Sequence, residues 1–133
     1  MRQLHHLCIQ TDNYEASLDF YCRVFDFKVK KETKNFHTRL YNTWLEYGDL
    51  MIELQTGKEG EILIDHSNSN KGLVHFCFWV SDINEEYNRI KKLGYTNFKS
   101  KNGEHIYTVE GGKLLKVISP EGTIIELRDS KEL

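Results

Sequence analysis

Four residues carry the chemistry that this chain could perform: His6, Glu53, His75 and Glu126. Two imidazoles and two carboxylates suit a borderline divalent cation, and nickel, zinc, cobalt and manganese all accept such a donor set. On an octahedral ion these four would leave two positions open, enough for adjacent oxygens of a substrate. Either carboxylate, Glu126 or Glu53, would also serve as the general base that moves a carbon-bound proton. Taken singly, a strand histidine or glutamate is more often solvent-facing or satisfied by a neighbour than functional. What changes that weighting is where the four stand relative to an internal repeat.

The segment His6-Leu7-Cys8-Ile9-Gln10-Thr11-Asp12 returns as His75-Phe76-Cys77-Phe78-Trp79-Val80-Ser81-Asp82. Downstream, Gly48-Asp49-Leu50-Met51-Ile52-Glu53-Leu54 is matched by Gly122-Thr123-Ile124-Ile125-Glu126-Leu127. In each copy the histidine precedes the glutamate by a similar interval, 47 and 51 residues. Two units of about 65 residues are too long for a typical solenoid repeat and too few for an array, so a duplicated half-domain is the simpler reading. All four candidate ligands then occupy equivalent positions, and pseudo-twofold pairing of the units could bring them together.

The elements that must position them can be read within each copy. Residues 4–10 alternate, with His6, Cys8 and Gln10 on one face and His5, Leu7 and Ile9 on the other, which predicts a strand; residues 73–80 repeat the pattern. Asp12 with Glu15, and Asp82 with Glu85, place carboxylates over the free amides of a helix start. Apolar positions at Tyr14, Leu18, Tyr21 or Cys22 and Phe25, and at Ile83, Tyr87, Ile90 and Leu93, follow at helical spacing. Asp26 and Gly94 stand where the helices must stop, in left-handed positions. Strands are expected at 27–34, 38–47 and 50–56, then at 95–101, 105–110 with 113–118, and 122–128, with Asn102-Gly103, Gly111-Gly112 and Pro120-Glu121-Gly122 as turns. The expected fold class is α+β: two pseudo-symmetric βαβββ units, about 1–56 and 72–133, joined by a Gly-, Ser- and Asn-rich connection at 57–71 whose Ile62-Leu63-Ile64 could lie against the core.

On this reading Glu53 shares a face with Met51 and Gln55, opposite Leu50, Ile52 and Leu54, and Glu126 is separated likewise from Ile125 and Leu127. An acidic group on the face shared with the histidines needs solvent, a counter-charge or a cation. A metal satisfies both carboxylates at once. Cys8 and Cys77 lie two residues beyond the histidines, as ligands of a softer site or, preferably, as compact wall residues. Gln10, Met51, Trp79 and Lys116 would line a pocket on the ligand-bearing faces. His5, His37, His66 and His105 read as surface or packing histidines.

Composition bounds the rest. A chain of 133 residues with 39% apolar content supports a single domain spanning 1–133. Its 18 basic and 20 acidic residues are interspersed, a net charge of −2, which leaves no footprint for nucleic acid. No apolar run approaches a signal peptide or membrane span, so a cytoplasmic protein with no membrane partner is expected. Cys8, Cys22 and Cys77, an odd number without knuckle spacing, are expected to be reduced.

The order His6, Glu53, His75, Glu126, the stretch Asp12-Asn13-Tyr14-Glu15-Ala16-Ser17-Leu18-Asp19-Phe20-Tyr21 and the closing Ser119-Pro120-Glu121-Gly122-Thr123-Ile124-Ile125-Glu126-Leu127 resemble the vicinal-oxygen-chelate superfamily over nearly the full length. That resemblance implies a glyoxalase-type curved sheet, one divalent metal and a small-molecule substrate. The His/Glu/His/Glu set is most similar to bacterial glyoxalase I, which uses nickel or zinc to isomerise a 2-oxoaldehyde–thiol hemithioacetal through an enediolate. Bacterial glyoxalase I enzymes often carry an arginine four residues after the first histidine to bind glutathione, whereas this chain has Gln10. Methylmalonyl-CoA epimerases usually carry Gln where this chain has Glu53, and fosfomycin-modifying transferases and extradiol dioxygenases use a His/His/Glu pattern. The resemblance therefore implies a lactoylglutathione lyase-like metalloenzyme working as a homodimer, with an epimerase or a ligand-sequestering protein of the bleomycin-resistance type as alternatives.

Overall fold

Alternation of apolar and polar residues carries most of the architecture, in a computed structural model that describes residues 1–131. The chain divides into two units, Met1–Asp65 and His66–Leu133. The first runs β1 (Leu7–Thr11), α1 (Tyr14–Asp19), a π-helical turn (Phe20–Val24), β2 (Lys28–Phe36), β3 (Arg39–Tyr47) and β4 (Leu50–Thr56). The second runs β5 (His75–Trp79), α2 (Ile83–Lys92), β6 (Ile106–Val109), β7 (Gly112–Ile118) and β8 (Ile124–Arg128). Each builds a mixed four-stranded sheet, in the order β1-β4-β3-β2 and β5-β8-β7-β6. In both, the first strand pairs in parallel with the last and the remaining pairs are antiparallel. The α+β reading with two βαβββ-like units thus holds.

In the first unit Ile52 and Leu54 of β4 and Leu45 of β3 are fully buried, while Met51, Glu53 and Gln55 between them are only half-covered. Burying each such aliphatic side chain is worth about 1.5–3 kcal/mol, which pins the register, since a one-residue slip would expose the whole set. β2 is exposed almost throughout and carries Lys28, Lys30, Lys31 and Lys34, charges that guard an unpaired sheet edge. In the second unit Leu115, Val117, Ile125 and Leu127 form the equivalent core.

Several boundaries differ from the sequence reading. Helix α1 is capped by Asn13, not Asp12: the Asn13 side chain accepts from the Ala16 amide, and Thr11 Oγ1 accepts from the Asn13 amide. Asp82 caps α2 as expected, accepting from the Glu85 amide at 3.0 Å. Tyr14, Tyr21 and Phe25 of the expected helical series are buried and Leu18 is half-buried, while the π-helical turn buries Phe20 and Val24 as well. Residues 95–101 form no strand. Only Phe98 is buried there, and it ties the segment to β7 by a single bridge to Val117. The β6–β7 hairpin turns on Glu110-Gly111, both with positive φ, and Gly112 opens β7. A Cβ on Gly112 would lie 2.6 Å from that of Ser130, so close approach selects glycine there. Asp26 and Gly94 do take left-handed conformations. In the connection, Leu63 lies over Gly57, 3.3 Å from where a Cβ would stand, but Ile62 and Ile64 are about nine-tenths exposed, so that tripeptide is not laid into a core.

Candidate functional site

The parallel pairing of first and last strands places a cysteine directly across from each glutamate: Cys8 opposite Glu53, and Cys77 opposite Glu126. In β8 both faces are covered, and Glu126 is only 6% exposed. A carboxylate so buried requires partners. His75 Nε2 lies 3.3 Å from Glu126 Oε2, Lys116 Nζ 3.7 Å from the same oxygen, and Arg128 Nη1 4.0 Å from Oε1. Cys77 Sγ donates to Oε1 at 3.7 Å. The structure therefore brings together four of the residues expected in this half: His75, Cys77, Lys116 and Glu126. Trp79 stands across from Arg128, half-exposed, donating its indole N–H to the Asp129 carbonyl with the Lys131 ammonium over its ring.

Around Glu53 the polar partners are neutral, and Arg39, the cation whose charge reaches Cys8, bonds Gln10 and the Thr56 carbonyl. Asn42 Nδ2 approaches Glu53 Oε2 at 3.4 Å, and Trp44 is its cross-strand neighbour. Asn42 is buried, with its own carbonyl oxygen unpartnered among the described residues. His6 falls one residue before β1 and packs edge-on against Trp44 at 4.9 Å between ring centroids. Contrary to the alternation that set them on opposite faces, His5 and His6 meet through their Nδ1 atoms at 2.8 Å, because residues 4–6 are not in the strand. Gln10 accepts from Arg39 Nη1 at 3.0 Å and from Gln55 at 3.4 Å, and Met51 is half-buried on β4. His105 is a packing histidine, bonded to the Tyr87 hydroxyl and set against Phe98.

Both paired cysteines are held protonated. Cys8 is pushed up to about 11, by desolvation of the thiol first and then by the Glu53 carboxylate; Cys77 likewise, by desolvation and then the charge of Glu126. A thiol at that value is a weak metal ligand near neutrality, which favours its reading as a wall residue.

His75 and Glu126 present one imidazole nitrogen and one carboxylate oxygen side by side, a donor pair that fits a divalent ion. In the first unit His6 and Glu53 each face other partners, and among the described residues no group of three or more His, Cys, Asp and Glu side chains gathers in a metal-ligating cluster. Arg128, Asn42 and Trp44 were not anticipated from sequence. Alternation carried the signal for Arg128, two residues beyond Glu126 on the same face, but Asn42 and Trp44 become visible only through the β3–β4 register.

The sequence pattern of the glyoxalase/bleomycin resistance protein/dioxygenase superfamily matches residues 3–126. The chain belongs to this superfamily. No curated protein matches it. Solved structures share the fold: a glyoxalase family protein from Enterococcus faecalis has 21% identity and a TM-score of 0.78, over 96% of this chain and 98% of that one. A lactoylglutathione lyase from Agrobacterium tumefaciens has 20% identity and a TM-score of 0.69, over 97% and 94%. The fosfomycin resistance protein FosX from Listeria monocytogenes, complexed with Mn(II) and sulfate, has 15% identity and a TM-score of 0.71, over 99% and 95%. No helix among the described residues is long and apolar enough to cross a membrane.

Proposed function

We propose that this chain is a metal-dependent glyoxalase I-like lyase or isomerase acting on a 2-oxoaldehyde–thiol hemithioacetal. The observation that carries the reading is His75 Nε2 facing Glu126 Oε2 at 3.3 Å on a strand pair whose repeat counterpart bears Glu53, with His6 one residue before its first strand. The lactoylglutathione lyase among the structural neighbours supports it. His6, Glu53, His75 and Glu126 would hold one divalent ion, nickel or zinc ahead of cobalt or manganese. Bound there, the ion supplies Lewis-acid polarisation of two adjacent substrate oxygens.

The protein's own part is proton transfer. Glu126, shielded from water and oriented by His75, takes the proton from the carbon bearing sulfur and returns it to the neighbouring carbon. One C–H bond breaks and another forms, while the hydroxyl proton moves between the two oxygens. The product is the thioester of a 2-hydroxy acid, with no external oxidant or reductant. Glu53 is the second carboxylate able to take this role. The reading includes a homodimer located in the cytoplasm.

The test is metal content by mass spectrometry on wild type and Glu126→Gln, coupled to a methylglyoxal-plus-thiol assay with nickel or zinc added back. Stoichiometric metal and turnover in wild type, with either lost in the variant, are expected. Metal without turnover would overturn the substrate assignment and leave acyl-CoA epimerisation, read by deuterium exchange at the α-carbon of methylmalonyl-CoA. Protein that takes up no metal would sink the chelate reading.

A further inference from the structure

Two cations attend a single carboxylate in the second unit. Lys116 stands 3.7 Å from one oxygen of Glu126 and Arg128 stands 4.0 Å from the other, while His75 also faces the first. One cation would neutralise Glu126; the second leaves a local excess of positive charge. Neither lies within hydrogen-bonding distance of the carboxylate, so among the described residues neither spends a donor on it. Arg128 Nε is buried and has no acceptor among the described residues. Buried donors are seldom left without one, and the described residues provide none for this one.

The first unit shows that the frame does not require these charges. At the positions matching Lys116 and Arg128 in the strand register stand Trp44 and Gln55, and Glu53 there faces the amide of Asn42 and the Cys8 thiol. The pair is thus specific to the second unit. Guanidinium and ammonium groups together recognise oxyanions, the first through its fork of N–H donors and the second as a point charge.

We propose that Lys116 and Arg128 form an anion clamp beside Glu126 that receives a carboxylate or phosphate group of the substrate. Assigning that group to the substrate rests on the catalytic reading of Glu126; the binding of an anion by the two side chains does not. The clamp would anchor the charged end of the substrate and so set which carbon is presented to Glu126.

The experiment uses the full chain stripped of metal with a chelator. The Arg128 Nε–H resonance is followed by NMR during titration with inorganic phosphate and, separately, with acetate, at constant ionic strength. A saturable shift is expected, with affinity at least ten-fold weaker in Lys116→Gln and retained in Lys116→Arg. Arg128→Gln should weaken binding similarly, read on the β8 amides. Tighter binding of phosphate assigns a phosphate-bearing substrate, and tighter binding of acetate a carboxylate. No saturable shift in wild type, or unchanged affinity in a folded Lys116→Gln protein, overturns the clamp. Repeating the titration after nickel is added back separates the two proposals. Anion binding that appears only with nickel and ignores both substitutions sinks the clamp and keeps the metal reading. Lys116-dependent binding in a protein that takes up no nickel does the reverse.

Discussion

Glu53 and Glu126 occupy the same register in twin strand pairs, each across from a cysteine, yet they live in different electrostatic surroundings. Glu53 is half-exposed beside a neutral amide and an indole. Glu126 is buried among an imidazole, an ammonium and a guanidinium. The two units thus share the backbone frame and the His and Glu residue types while the side chains around them differ. The lesson is that the frame is set by the apolar alternate residues, leaving the opposite face free to specialise.

The largest effect that would sharpen this contrast is catalytic. Glu126→Gln should lower turnover by about 10²–10⁴-fold, the span of a general base, and Glu53→Gln should cost less. Equal losses in kcat for the two would break the asymmetry. Next come the frames themselves. Ile52→Ala and Ile125→Ala, both at fully buried positions, should each destabilise the protein by about 2–5 kcal/mol in urea unfolding. A difference of several kcal/mol between them would show that the two sheets are not energetically equivalent.

A smaller effect concerns the thiols. With both held near 11, alkylation by iodoacetamide in chelator-treated protein should be slow at pH 8 and rise steeply above pH 10. Neutralising the facing carboxylate removes one of the causes that raise the thiol, so Glu53→Gln should lower the Cys8 value and speed its reaction several-fold, and Glu126→Gln should do the same for Cys77. An unchanged rate at mapped Cys77 would contradict the 3.7 Å contact with Glu126. The smallest effect separates the helix starts: Asp82→Ala should cost about 1 kcal/mol, and Asn13→Ala less, because its cap bond is longer, 3.4 Å against 3.0 Å.

The repeat, the strands that carry it and the alternation around Glu53 were legible because they depend on residue type at fixed spacing. Asp82 was legible as a cap for the same reason. Asn13 was not, since its selection over Asp12 depends on Thr11 Oγ1 meeting the Asn13 amide. Residues 95–101 misled because extended-looking composition does not create a pairing partner; with Phe98 alone buried, only isolated bridges form, Phe98 to Val117 and Lys101 to Glu104. His5 and His6 misled because alternation ceases to apply before β1 begins.

By itself, then, the sequence determined the α+β class, the two βαβββ-like units and which residue types stand at equivalent places, because backbone periodicity and apolar burial are local and additive. Only the tertiary structure decided that Glu126 is buried while Glu53 is not, that Lys116 and Arg128 flank it, and that Arg128 keeps a buried donor without an acceptor among the described residues. Those features depend on cross-strand register and side-chain direction, which bring together residues far apart in the chain.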